Sequence, residues 1–420
     1  MVLNYWTCGI AFLAAYLLTV RFFRYKRRDG VTAKFSGKGR PLSDMTAAEA
    51  HEIMTMLQEL EFPYAFQKAR TISLLKVAGG IPTMSKLFAV TGQNTRRNAG
   101  KRAVDTEILL REVHHNGRDT DRYMKAVARM NYLHTRYRKA GKILDDDMLH
   151  TLGSGVVEAF RIVDNEEWRK LSKEERCAIG IFHKALGEDL GIPWTSLPSH
   201  QGGWEDGAHF ASELRDWTVR YEERVAKFTA TNDQYVRVYV DSAMSGMPRF
   251  FTTLLRKIVG LELDDVMRSS LGLEKPGIIL RTIISGSKAL RKTLLRYFTL
   301  PRPQFRAVKA LHEKPNPKTG LYNFFSTGLQ PWYVKKDAWS TWGPSALFVR
   351  ILGGRLPGSH GDRFHPQGYD LTTIGPKPQE GRGHENMAAT MEFLRARNIS
   401  SCPFQKGYQQ KGESQVDPIF

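Results

Sequence analysis

Apolar positions recur along most of this chain at helical spacing, and the first of them form an unbroken run. Residues 5–20 (YWTCGIAFLAAYLLTV) carry no charge, and Phe22 and Phe23 extend the run past Arg21 to about 19 residues, enough to span a bilayer. Only Met1 to Asn4 precede it, whereas Arg21, Arg24, Lys26, Arg27 and Arg28 follow. That asymmetry reads as an uncleaved anchor with the rest of the chain on the cytosolic side, Tyr5 and Trp6 suiting the opposite interface. Residues 1–28 are therefore taken as anchor and basic flank, and 29–42 (DGVTAKFSGKGRPL) as a Gly-containing linker. Beyond it, Ser43 and Asp44 are candidate caps for a helix whose Ile53, Met54, Leu57 and Leu60 share an apolar face. Helices are also predicted over 82–92, 101–115, 121–141, 145–163, 172–191, 208–228, 233–245 and 248–260. The fifth has a capping-box pattern, Ser172 with Glu175, and stops at Gly191 before Pro193. The segment DQYVRVYV has the β-branched content of a strand, yet no stretch alternates long enough to require a sheet.

After about residue 300 Pro, Gly and aromatic residues dominate, with one late helix in ENMAATMEFLRARN. The expected architecture is mainly α: an N-terminal transmembrane anchor, a single large helical domain over 43–300, and an irregular portion over 301–420 packed on it. Trp332, Trp339 and Trp342 are expected to pack that portion onto the body, with lining of a pocket entrance as the alternative.

The chain has 420 residues, 62 Lys+Arg and 43 Asp+Glu, a formal net charge of +19. Such an excess points to nucleic acid or anionic membrane. Residues 1–40 hold eight basic residues against the single Asp29, so +7 of the total belongs to the anchor flank. No nucleic-acid-binding motif accompanies the remaining +12, and a nucleic-acid partner is not expected. The three cysteines, Cys8, Cys177 and Cys402, are too scattered for a disulfide framework or a structural zinc site. In SGSKALRKTLLRYF (285–298), Lys288, Arg291, Lys292 and Arg296 are interspersed with Leu290, Leu294, Leu295 and Phe298. That pattern fits either a solvated helix face or a basic amphipathic helix on a membrane surface.

Twelve histidines require a systematic check for metal and acid/base chemistry. No HExxH is present: His51-Glu52 is followed by Thr55, and His384-Glu385 by Ala388, where the second His is required. For a di-iron bundle only Glu112 and His115 have the needed E-x-x-H spacing, with Asp147/His150 and Asp206/His209 as weaker pairs. A more concentrated set lies between 94 and 150. Arg102 and Thr106 are four apart, one above the other on a helix. His134 lies on an apolar stripe with Met130 and Tyr137. An inward His of this kind is usually a core residue. Paired with a second helix offering a cation and a hydroxyl, it also has the makings of a haem pocket.

Several runs resemble a known family. GIPTMSKLFAVTGQ (80–93), KRAVDTEILLREV (101–113), MNYLHTRYR and GDRFHPQGYDLTTIGPKPQEGRG (361–383) are similar to the fungal ER-bound oxygenases of the MpaB type. These are relatives of the latex-clearing rubber oxygenases, whose all-helical catalytic domain holds haem b. The resemblance implies an ER-membrane protein using haem b iron and dioxygen to cleave a carbon–carbon double bond in a lipophilic, prenylated compound. The R-x-x-x-T of the rubber enzymes' pocket falls on Arg102 and Thr106, and their proximal histidine on His134. Where they have a Lys just before that Thr, this chain has Asp105. Their catalytic Glu falls on Lys86, so their general base is not carried over. The expected partners are a lipophilic small-molecule substrate, dioxygen and membrane lipid. A non-haem iron enzyme using Glu112 and His115, and a non-enzymatic membrane-tethered binding protein, are the alternatives.

Overall fold

The computed structural model describes residues 5–35, 39–244, 248–325, 330–397 and 404. Helix α1 (Tyr5–Arg24) is the apolar run, and after a break at Tyr25 the chain continues as α2 (Lys26–Phe35). The body follows as α3 (Ala47–Met56), α4 (Pro63–Leu75), α5 (Pro82–Val90), α6 (Ala99–His115), α7 (Asp121–Lys139), α8 (Asp145–Glu166) and α9 (Lys173–Asp189). Next come α10 (Gly207–Val225), α11 (Ala230–Ala243), α12 (Arg249–Glu262), α13 (Asp265–Ser270) and α14 (Ile278–Thr293). The C-terminal portion adds α15 (Ala338–Trp342), α16 (Pro344–Ile351) and α17 (His384–Ala396) among loops. One exposed four-residue strand, Ser359–Asp362, and two isolated bridges are the extended pairing seen among the described residues. The fold is mainly α, as the hydrophobic spacing predicts.

Helices α8, α9 and α10 form the centre, with α3 on α9 and α4 on α8. Their contact is unusually close at one crossing. A Cβ on Gly180 would stand 1.7 Å from the Gly207 carbonyl oxygen, so only glycine lets α9 and α10 meet backbone to backbone there. The core between these layers includes Phe62, Ile108, Val156, Trp168, Cys177 and Phe210. Burial of each large apolar side chain contributes roughly 1.5–3 kcal/mol before its ordering entropy is counted.

Local signals act where the sequence places them, except at the α3 cap and in the stretch read as a linker. Ser172 and Glu175 form the expected capping box of α9. At α3 the cap is Thr46, boxed with Glu49, because Leu42–Asp44 is taken up in a 3-10 turn. DQYVRVYV lies within helix α11, whose Tyr235, Val236 and Val240 are buried. Helix α2 takes in residues 29–35 of the stretch that composition reads as a linker, and the helix is docked: Phe35 is buried, Thr32 bonds Glu174 at 3.4 Å and, in its first turn, Arg27 pairs with Glu61 at 2.9 Å.

Three π-helical turns are seen among the described residues, Leu57–Glu61, Lys76–Gly80 and Leu294–Phe298. The second brings Lys76 into the interior, where its Nζ lies 2.7 Å from Glu222, 3.2 Å from Glu158 and 3.4 Å from Asp264. His150 Nε2 meets the other oxygen of Glu222 at 2.9 Å. This network ties the end of α4 to α8, α10 and the start of α13.

Candidate active site

Helices α6 and α7 form a hairpin across the turn at 116–120. Arg102 lies fourteen residues ahead of Asn116 and His134 fourteen beyond Thr120. Equal climbs of about 1.5 Å per residue bring the two to one level at the open end of the hairpin. Helical spacing also sets Thr106 beside Arg102: the guanidinium donates to the Thr106 hydroxyl, which donates in turn to the Arg102 carbonyl at 2.8 Å. The structure thus sets Thr106 beside Arg102, and His134 lies near enough to the Arg102 guanidinium to feel its charge.

His134 is half-buried, but its Nδ1 is sealed from water and has no hydrogen-bond partner. Burial, reinforced by the positive charges of Arg102 and Arg138, pushes its pKa down to about 4. The imidazole is therefore neutral at pH 7, the form that binds a metal. Arg102 makes no ion pair with a carboxylate among the described residues; its guanidinium instead lies 5.2 Å from the Phe88 ring centroid. Phe88 of α5 packs edge-on to Tyr235, which stacks on Tyr239 with centroids 4.0 Å apart. Burial pushes Tyr235 upward and Tyr239 up to about 12, so both phenols stay protonated. This aromatic wall was not foreseen. Its signal was present in Tyr235 and Tyr239, four apart on one helix, but only the packing of α11 on α5 and α6 gives it a place.

Asp105, one residue before Thr106, is buried and turned elsewhere. It accepts bonds from Lys101 at 2.9 Å and from the Tyr333 hydroxyl at 2.7 Å. Burial raises its pKa, with Lys101 and Tyr333 opposing. Lys86 is exposed on α5. Neither offers a general base to the site.

The motif at 361–383 holds the hairpin from outside. Arg129, wholly buried on α7, donates to the carbonyls of Ile374, Gln379 and Arg382 at 2.7–2.8 Å. Tyr369 donates to Glu112 at 2.6 Å, and Glu112 also receives Arg122 and Asn116. Glu112 and His115 therefore do not converge: His115 meets the Arg111 carbonyl through Nδ1 and approaches Glu59 to 3.8 Å. Asp147 is engaged by Thr83 and Tyr221, His150 by Glu222, and Asp206 caps α10. Among the described residues no group of three or more His, Cys, Asp or Glu is placed to hold a metal ion.

Trp332 is buried edge-on to Phe364 at 5.0 Å, whereas Trp339 and Trp342 are exposed. At the N-terminus α1 and α2 are together long and apolar enough to cross a membrane.

No family model matches the chain. Among curated proteins it is 34% identical to the ER-bound oxygenase mpaB' of Penicillium brevicompactum over 397 residues, 94% of this chain and 93% of that protein. It is 35% identical to the ER-bound oxygenase mpaB of the same fungus, over 86% of this chain and 85% of that one. Against the protein named mpaB in Penicillium roqueforti the identity is 34%, over 64% of this chain and 90% of the relative. Similarity of this extent, over most of both chains, shows that the chain belongs to the mpaB family of ER-bound oxygenases.

Proposed function

We propose that this chain is a membrane-anchored, cytosol-facing oxygenase of the ER that uses haem b to cleave a carbon–carbon double bond in a lipophilic, prenylated compound. The observation that carries it is His134: a neutral imidazole with a sealed, unpartnered Nδ1, level with Arg102 across the hairpin. His51 Nε2 and His150 Nδ1 are likewise unpartnered among the described residues, so it is the nearness of the Arg102 charge that singles out His134. An axial ligand needs the neutral ring that this environment supplies.

Haem, when bound, supplies the iron at which dioxygen reacts. His134 would hold that iron. Arg102, which has no carboxylate partner among the described residues, would offer its charge to a propionate or to negative charge developing on oxygen. Thr106 fixes the Arg102 side chain through its hydroxyl. Phe88, Tyr235 and Tyr239 would exclude water and give an alkene an apolar surface. Cleavage of one double bond by one dioxygen yields two carbonyls, each taking one oxygen atom, so no external reductant is required.

The full chain, expressed with haem supplementation and purified in detergent, is expected to show a Soret band that is lost or shifted in His134→Ala. Melting curves of both proteins check that the variant is folded. Absence of the band, or an identical band in the variant, overturns the assignment. Extracts of cells carrying the active protein are expected to gain a shortened, carbonyl-bearing product.

A further inference from the structure

A helix on the surface of a soluble protein turns its apolar residues inward and its charges outward. Helix α14 departs from this: Leu280 and Ile284 are half-buried, but two of its cations also turn inward while other apolar side chains lie outward. Lys288 points into the body, 2.8 Å from Glu262 and 3.1 Å from Glu166, and Arg291 bonds Glu167 at 2.9 Å while lying 4.6 Å from the Tyr64 ring centroid. The opposite face carries Ile279, Ile283 and Leu290, which are 75%, 61% and 61% exposed. None of the sixteen residues of α14 is buried. The π-helical turn Leu294–Phe298 continues the apolar face through Leu294, Tyr297 and Phe298, and Leu300 extends it. Arg281 and Arg296 are exposed as well, with stems long enough to carry their charges to a polar boundary. Both readings open to the 285–298 pattern are modified, because Lys288 and Arg291 are paired with buried carboxylates.

A second observation gives this face a depth. The Tyr16 hydroxyl of α1 donates to the carbonyl of Phe298 at 2.9 Å. Tyr16 lies five residues before Arg21 and eight before Arg24, hence about 7–12 Å along the helix axis from the basic flank. In a hydrocarbon core about 30 Å thick, that level belongs to the acyl chains of the cytosolic leaflet. The exposed residues of α1, Phe12, Leu13, Leu18 and Phe22 among them, are thus continuous with the outer face of α14.

We infer that α14 and the 294–300 turn are immersed in the cytosolic leaflet beside α1, a second membrane element whose occupant is lipid acyl chain. This rests on the reading of α1 as a membrane span. Charged groups inside a membrane face the protein and pair there, which is the arrangement of Lys288 and Arg291. In water the same face leaves a contiguous apolar surface uncovered.

The test uses the full chain with Cys8→Ser and Cys402→Ser, reconstituted in phosphatidylcholine/phosphatidylserine vesicles with or without brominated acyl chains. An environment-sensitive nitrobenzoxadiazole label is attached singly at Leu13→Cys, Leu290→Cys, Phe298→Cys or Gly202→Cys. Labels at 13, 290 and 298 are expected to emit at shorter wavelength, to lose most of their intensity in bromolipid and to resist aqueous iodide. The label at 202, on an exposed turn, is expected to do the opposite. If 13 is lipid-buried while 290 and 298 are quenched by iodide, the inference fails and the anchor stands. If 13 is quenched by iodide too, the anchor reading fails and takes the inference with it. Labels at 290 and 298 that escape both quenchers mean that protein covers the face, which also overturns the inference.

Discussion

Lys76 should be one of the most sensitive positions in the body. It is 1% exposed, and burial alone would strip its charge, but Glu222, Glu158 and Asp264 outweigh that effect and hold its pKa above the ordinary lysine value. Lys76→Met keeps the volume and removes the ammonium, leaving buried carboxylates short of a counter-ion. Breaking one side of a buried pair costs about 3–5 kcal/mol. Here the lower end applies, because Arg161 still bonds Glu158 and His150 still meets Glu222. Unfolding entropy near 2.1 cal/mol/K per residue gives roughly 0.9 kcal/mol/K for a chain of this length, so ~3 kcal/mol lowers the melting temperature by about 3–4 °C. Adding Glu222→Gln removes the charge left unpaired and should recover part of the loss. Intrinsic fluorescence melts of the detergent-purified chain supply the readout. A shift below about 1 °C in Lys76→Met, or a double variant less stable than the single one, would refute the electrostatic account.

Acid should destabilise the body before its carboxylates titrate. Burial is the leading cause that depresses His115 to about 3, and His134 and His183 to about 4. The unfolded chain binds these protons first, so their contribution is intact above about pH 6.5 and is lost as pH falls toward 4. Between pH 7 and pH 5 the loss is roughly 2 kcal/mol per histidine; a melting temperature that stays flat over that interval contradicts it. Arg129→Met should free the carbonyls of Ile374, Gln379 and Arg382, costing about 3 kcal/mol. Limited proteolysis is then expected to cleave within 374–382 at protease levels that spare the unaltered chain, and equal resistance would count against the clamp.

The helical body was legible because apolar spacing and capping are local. Ser172 and Glu175 need only each other, and the structure shows them boxed. What escaped the sequence depends on partners far along the chain. Phe35 has no sequence neighbour that marks it as buried, so its segment reads as a tether until α2 is seen against the body. The cations of α14 look outward on a helical wheel, and only Glu166, Glu167 and Glu262 from α8, its C-terminal flank and α12 turn them inward. The three site residues came from spacing and resemblance. Phe88, Tyr235 and Tyr239 did not, since their meeting requires α5 and α11 to pack.

The pairing of Asp105 has a physical meaning that bears on the candidate site. Successive residues on a helix point about 100° apart, so fixing Lys101 and Asp105 fixes the direction of Arg102 and Thr106. Lys101 donates to Asp105 and to the carbonyl of Gly375, and lies 3.2 Å from Glu380; Tyr333 completes the grip on Asp105. Gly375 itself stands at φ 127°, and a Cβ there would press on Leu133 at 3.2 Å, next to His134 on α7. The loop that clamps α6 therefore also seats against α7, where Arg129 binds it from below. Rotation of either helix would break bonds to the same few residues between 374 and 382. The C-terminal motif that carries so much of the resemblance contributes no group to the site. Its bonds to Lys101 and Arg129 restrain the rotation of both helices, and with it the direction in which Arg102, Thr106 and His134 are presented.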